Sequence, residues 1–220
     1  MLLKRVQDNE NIIEIGIDEV GRGPMLGRVY TAAVILPKNG FNYECLKDSK
    51  KFTSDKKLRE VGRYIMANCI NFAITFEDEK VIDKINIKNA TYQSMHKSIK
   101  SLNLNFNNSL LLVDGNDFKP YLYFDKDEEI YKEANYRCII GGDSKSCSIA
   151  AASILAKIAR DDYIIELCNE FPKLDEFYDL KKNKGYGTKR HLDGIIAYGI
   201  SKFHRKSFGI CQKTDEINLD

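Results

Sequence analysis

Residues 15 to 27 read Ile15-Gly16-Ile17-Asp18-Glu19-Val20-Gly21-Arg22-Gly23-Pro24-Met25-Leu26-Gly27. An apolar run delivers two adjacent carboxylates into a glycine-rich turn, and few chemistries want that arrangement. Paired acids at a strand end suit a hard divalent cation, and glycines beside them let main-chain amides approach a substrate that a side chain would block. The stretch therefore predicts metal-assisted phosphoryl chemistry. On either side of the turn, Ile12 to Ile17 and Val29 to Leu36 read as the two strands of a hairpin, the second stopped by Pro37. Neighbours in a straight strand point to opposite faces, so Asp18 and Glu19 share a site only if the strand ends there and the chain bends. Gly21 and Gly23 permit that bend. The glycines do not form a dinucleotide fingerprint, because a strand rather than a helix follows them, and no Walker-type lysine is present after the loop.

Further along, the pattern predicts a helix from about Ser54 to Cys69 capped by Ser54 or Thr53, a strand over Asn71 to Phe76, and a helix over Ile87 to Leu102. Leu110 to Val113 is a compact apolar strand that ends on Asp114-Gly115. Tyr136 to Ile140 is the last predicted strand. After Gly141-Gly142-Asp143, an alanine-rich helix starts at Ser146 and runs towards Cys168, and a shorter one lies near Lys189 to Tyr198. Thus Asp18 with Glu19, Asp114 and Asp143 each stand between an apolar element and a glycine. Strand ends of an α/β sheet meet along one edge, so these acids can converge. A cluster of that kind repels itself unless one or two Mg²⁺ or Mn²⁺ ions relieve it. The plainer readings are an N-cap for Asp143 and a turn residue for Asp114.

With 220 residues, 43% hydrophobic and 30% charged, the chain has the composition of an ordinary folded domain. Net charge is only +2, yet Lys181 to Lys206 carries eight Lys or Arg against one acid, Asp193, and a second basic cluster gathers Lys47, Lys50, Lys51, Lys56 and Lys57. Six cysteines without a C-x-x-C pair read as reduced thiols. There is no signal-peptide or membrane-spanning stretch, so a cytoplasmic location is expected, or a nuclear one in a eukaryotic host.

Six blocks now line up. Asp18-Glu19-Val20-Gly21-Arg22-Gly23-Pro24, Asp48-Ser49-Lys50-Lys51, Val113-Asp114-Gly115, Gly142-Asp143-Ser144-Lys145-Ser146 with the helix through Lys157, Lys184-Gly185-Tyr186-Gly187-Thr188 and His204-Arg205-Lys206-Ser207-Phe208 together resemble type 2 ribonuclease H, ribonuclease HII. The resemblance spans residues 12 to 208. It implies an α/β fold, a ribonuclease H-like mixed β-sheet flanked by helices, with a small basic helical extension at the C-terminal end. Residues 1–170 would form the catalytic core, 171–213 a substrate-contacting region packed on it and 214–220 a frayed tail, all in one structural domain. Asp18, Glu19, Asp114 and Asp143 are implied as the catalytic, metal-holding carboxylates. Gly21, Arg22 and Gly23 would touch the 2′-hydroxyl at an RNA-to-DNA junction, Tyr186 would pack on the neighbouring sugar, and Lys50 and Lys51 would contact phosphates.

The implied reaction is endonucleolytic hydrolysis of the RNA strand of RNA/DNA hybrids, and cleavage 5′ of single ribonucleotides embedded in duplex DNA. Lysines and arginines of the 181–206 segment would hold the duplex backbone. A monomer is expected, with a replication clamp left open as a partner. Arg22 in the glycine turn and the lack of a separate N-terminal substrate-binding domain favour type HII over type HIII. Arg28 and Cys147 depart from the family pattern, and the long interval from Asp114 to Asp143, with acidic Asp125, Asp127, Glu128 and Glu129, is expected to form an extra loop near the site. His191 and His204 read as structural, and Asp161 and Asp162 as solvent-facing or helix-bracing. The competing readings are a junction resolvase and a non-catalytic nucleic-acid-binding module.

Overall fold

Strands β1 (Ile13–Val20) and β2 (Val29–Ile35) form the expected antiparallel hairpin, with Gly16 opposite Val34 and Val20 opposite Tyr30. The computed structural model describes residues 2–7, 9, 11–49 and 52–219. Lys50 and Lys51 therefore lie outside the described residues. Helix α1 (Asp55–Asn68) starts at Ser54, whose hydroxyl accepts from the Lys57 amide. Strand β3 (Asn71–Glu77) follows.

Helix α2 (Glu79–Ser101) begins earlier than the apolar pattern suggests, because Asp78 caps an extra segment before Ile87. Asn86, at φ 65°, kinks the helix, and its side chain accepts from the Asn89 amide at 3.0 Å to restart it. Strand β4 (Ser109–Asp114) comes next, then a two-stranded unit of β5 (Leu122–Asp125) and β6 (Ile130–Glu133), and then β7 (Tyr136–Ile139). The remaining helices are α3 (Cys147–Glu170), α4 (Pro172–Tyr178), α5 (Leu180–Asn183) and α6 (Lys189–Tyr198).

The main sheet runs β3-β2-β1-β4-β7, antiparallel on the β3 side and parallel from β1 to β7. Alternation sorts its side chains. Ile15, Ile17, Leu111 and Val113 pack with Met95 and Ile99 of α2, while Ala32 and Val34 pack with Ala151, Ala152 and Leu155 of α3 on the other face. The alanines let α3 lie close. Gly16 carries this furthest, since a Cβ there would enter the Ser148 main chain. Thr31, buried within β2, is satisfied by the hydroxyls of Ser94 at 2.7 Å and Thr75 at 3.1 Å, so α2 is also registered on the sheet by polar contacts.

The C-terminal helices enclose a further apolar cluster, in which Met25 and Leu26 of the glycine loop meet Ile164, Leu174, Tyr178, Leu180 and Ile195. Two expectations are corrected here. The 115–141 interval carries the β5–β6 hairpin, whose inner side, Tyr121 and Tyr123, packs on Phe106, before returning to the main sheet as β7, and none of it lines the cleft described below. Its acids cap and pair within the hairpin, with Lys132 held by buried Asp125 and exposed Glu128. The tail from Thr214 to Leu219 is not frayed: the Ile200 amide donates to Asp215 O at 2.9 Å, the Ile217 amide donates to Ile200 O at 2.7 Å, and Leu219 is buried.

Candidate active site

The parallel pairing of β1 with β4 stops at Ile17 opposite Val113, while β1 continues to Val20 along β2 alone. The strand thus runs past the acids rather than ending at them, which corrects the expected bend. Asp18 falls on the α3 face and Glu19 on the other, yet the sheet is open at this level, so both line one cleft with Asp114 from the end of β4. The cleft holds about 300 Å³ and is also lined by Gly21, Arg22, Gly23 and Tyr186.

Asp18 is 4% exposed, and its carboxylate accepts from the Glu19 amide at 2.7 Å. Burial pushes its pKa well above the ordinary carboxylate value, the charges of Glu19 and Asp114 push it further, and a Ser153 hydroxyl contact opposes them. Burial also lifts Glu19 to about 7 against the pull of Arg22, which bonds it at 3.3 Å, and Asp114 adds to the rise. Asp114 accepts from the Gly142 amide at 2.6 Å. That bond ties β4 to the turn Gly142–Ser144, on which Asp143 is buried. Asp143 is not the N-cap of α3, a place taken by Ser146, and it is not among the residues lining the cleft.

The donor set fits a hard divalent ion. Carboxylate oxygens are the ligands such ions take, and the raised pKa values of Asp18 and Glu19 express a local want of positive charge. Among the described residues, no three carboxylate, imidazole or thiol groups are yet gathered at ligand spacing.

Sequence reasoning assigned no cleft role to Ser49, Ser153, Lys157, Arg160 or Asp161, all of which line it. The last four sit at successive helical steps along α3, a polar stripe in an alanine-rich helix, and that spacing was the available signal. Lys157 pairs with Asp161 across one turn, and Asp161 is buried rather than solvent-facing. Asp162 bonds Arg59 at 2.6 Å.

The glycine loop is held from behind. Arg205 is fully buried and donates from Nε to Gly27 O at 2.8 Å, from Nη1 to Arg22 O at 2.9 Å and Pro24 O at 2.7 Å, and from Nη2 to Gly21 O at 2.6 Å. It cannot also grip a phosphate, which corrects its expected place among the duplex contacts. Burial, with the charge of Arg160, lowers its pKa to about 9, so it remains cationic at neutral pH. Arg160 is buried too and reaches Leu26 O and Arg28 O. Arg28 itself lies between the rings of Phe76 and Tyr163, at 3.9 and 4.4 Å from their centroids.

Tyr186 is 47% exposed, and its ring stands 3.6 Å from where a Gly23 Cβ would be. Its carbonyl accepts from His191 Nδ1 at 3.0 Å, and His191 Nε2 meets His204 Nε2 at 3.0 Å. The Ser201 amide must donate to His204 Nδ1. Only one proton pattern satisfies these bonds: both rings neutral, with His204 donating to His191. Burial accordingly lowers both pKa values, that of His204 to about 3. Neither histidine lines the cleft.

Comparison with known proteins agrees with the motif reading. The family model described as ribonuclease HII matches residues 15–211. A ribonuclease HII of Bacteroides fragilis is 43% identical over 204 residues, covering 92% of each chain. The ribonuclease H2 structure from Pyrococcus horikoshii OT3 superposes with a TM-score of 0.71 at 22% identity, over 92% of this chain and 96% of that one. The structure of Bst-RNase HIII in complex with Mn²⁺ gives 0.59 at 16% identity, over 85% and 70%. These structures share the mixed sheet flanked by helices described above. By the match along nearly its whole length, the chain belongs to the ribonuclease HII family of metal-dependent endonucleases.

Proposed function

We propose that the cleft hydrolyses the RNA strand of RNA/DNA hybrids and cuts duplex DNA on the 5′ side of a single embedded ribonucleotide, leaving 5′-phosphate and 3′-hydroxyl ends. The observation that carries this reading is the meeting in one cleft of Asp18, Glu19 and Asp114 with the Gly21-Arg22-Gly23 loop and an exposed Tyr186. Asp18, Glu19, Asp114 and Asp143 are the residues that would hold Mg²⁺ or Mn²⁺. Bound there, one or two such ions would activate a water for in-line attack on phosphorus and offset charge on the departing 3′ oxygen.

This chain's own residues do the rest. Asp18 and Glu19, placed on opposite faces of β1 at the cleft, would hold the ion as carboxylates. Arg22, more than half exposed at the mouth of the cleft, presents a fork suited to a phosphate. Gly23 leaves room beside the Tyr186 ring for a sugar, and main-chain groups there can meet a 2′-hydroxyl, which is both donor and acceptor and absent from DNA. Lys181, Lys182 and Lys184 beside Tyr186 supply charge for the duplex backbone without reading sequence. Lys50 and Lys51 are proposed as further phosphate contacts on the strength of the motif alone.

The test is cleavage of a DNA duplex carrying one ribonucleotide, with Mg²⁺ or Mn²⁺, beside an all-DNA control, with the cut mapped. Cutting only the first, immediately 5′ of the ribonucleotide, is expected. Equal cutting of both would favour a resolvase-like nuclease, and tight binding without cutting a non-catalytic module.

A further inference from the structure

The C-terminal motif His204-Arg205-Lys206-Ser207-Phe208 has no place in the chemistry described so far, and the hydrogen bonds of the Arg205 guanidinium go to main-chain carbonyls. Arg205 commits four of its five donors to carbonyls of one loop. In a trans peptide the C=O and the following N–H point in opposite directions, and the described chain contains no cis bond. Each carbonyl turned back to Arg205 therefore turns the next amide forward. Pro24 provides an internal check: its carbonyl accepts from Arg205, and the Met25 amide on the opposite side donates to Gly185 O at 2.8 Å.

The carbonyls of Gly21 and Arg22 are held the same way, so the amides of Arg22 and Gly23 face forward, on exposed residues, and have no hydrogen-bond partner among the described residues. Two adjacent, unspent donors thus turn away from Arg205 in a loop whose Gly23 has the Tyr186 ring as its neighbour, 3.6 Å from where a Cβ would be.

The same scaffold fixes both halves of this mouth. Arg205 N donates to Met25 O and Gly27 N to Phe203 O, while the neighbouring His204 reaches Tyr186 through His191. The segment is braced in turn from α2, where half-buried Asp83 accepts from the amides of Lys206 and Ser207 at 2.9 Å each and from the Ser207 hydroxyl at 2.6 Å. We propose that Arg205 is a positioning residue, braced by Asp83, which presets the Arg22 and Gly23 amides as donors to the 2′-hydroxyl of the substrate. This rests on the function proposed above.

The readout is a ratio: the Kd for an all-DNA duplex divided by that for the same duplex with one ribonucleotide, with KM and kcat for the latter measured in Mg²⁺. A ratio is indifferent to the fraction of protein that is folded, so a purely structural loss leaves it unmoved. Arg205→Lys keeps the charge but cannot span four carbonyls, and is expected to lower the ratio about tenfold, with all-DNA affinity unchanged. Asp83→Ala, half-buried and away from the cleft, is expected to lower it about threefold. A wild-type ratio in both folded variants overturns the proposal.

Should Arg205→Lys fail to fold, Asp83→Ala and amide NMR of the wild-type protein decide: the Arg22 and Gly23 resonances should shift with the one-ribonucleotide duplex and not with the all-DNA duplex. Identical shifts with both duplexes, or an unmoved ratio in Asp83→Ala, overturn it equally. A wild-type protein that neither prefers nor cuts the one-ribonucleotide duplex removes instead the function on which the inference rests.

Discussion

Asp18 and Glu19 show how far a pair of letters can be read. An apolar run that ends on two acids and a glycine turn states its chemistry, because nothing in a folded core gains from that order. Replacing Asp18 by Asn keeps the shape and removes one of the carboxylate charges proposed to hold the metal, so cleavage should fall by about 10³-fold or more while duplex binding and the melting curve persist. A collapse of the melting transition in that variant would make Asp18 structural instead. Gly21 and Gly23, one residue apart, separate two roles. Gly21 has φ 98° and lies against Arg160, so Gly21→Ala should destabilise the fold by about 2 kcal/mol or more. Gly23 has room for a methyl group at ordinary contact with Tyr186, so Gly23→Ala should melt within about 1 kcal/mol of wild type yet lose selectivity for the ribonucleotide. Denaturation and the cleavage ratio measure the two effects separately. Arg205 was illegible at this scale. One arginine among eight basic residues between 181 and 206 reads as solvated, and only the fold shows four carbonyls 178 to 184 residues away waiting for it.

Most elements were legible, for a stateable reason. Alternating or continuous apolar runs bounded by turn residues gave β1 to β4 and β7, and alanine content gave α3. The misses came where local pattern and tertiary contact disagree. The first turns of α2 intersperse Val81, Ile82 and Ile85 with charged residues, and they form because Asp78 caps them, Ile82 is buried against Val29 and Asn86 restarts the helix at a kink. The β5–β6 hairpin looked like a loop because its strands are only four residues long and carry acids that pair internally. The tail looked loose because its pairing partner, Ile200, is remote in sequence from β-rich runs. The tightest element contact, β1 on α3, passes through Gly16, and neither helix nor strand can retreat. Gly16→Ala should therefore cost about 3 kcal/mol or more, checked by urea denaturation, and a near-neutral change would mean that α3 stands off the sheet.

At the scale of the whole molecule, the carboxylate cluster trades stability for its function. Glu19 titrates near 7 in the folded protein and near its ordinary 4.5 in the unfolded chain, so between those values the folded state holds more protons. Stability of the metal-free protein should thus decline as pH rises from 4.5 to 7 and level off above, with Asp18 acting in the same direction. Thermal melts from pH 5 to pH 8 should show that slope, Glu19→Gln should flatten it, and Mg²⁺ should raise the melting temperature more at pH 8 than at pH 5. A slope of opposite sign would mean that burial and the neighbouring carboxylates do not disfavour the charged form of these acids. The fastening of an early loop by a late side chain has another consequence, in biosynthesis. A chain still on the ribosome, or one cut short by a premature stop before residue 205, contains Asp18, Glu19, Asp114 and Asp143 but no anchor for residues 21–27. Translation must run almost to completion before residues 21–27 are fastened, so partial products should lack the selectivity for a ribonucleotide proposed for that loop.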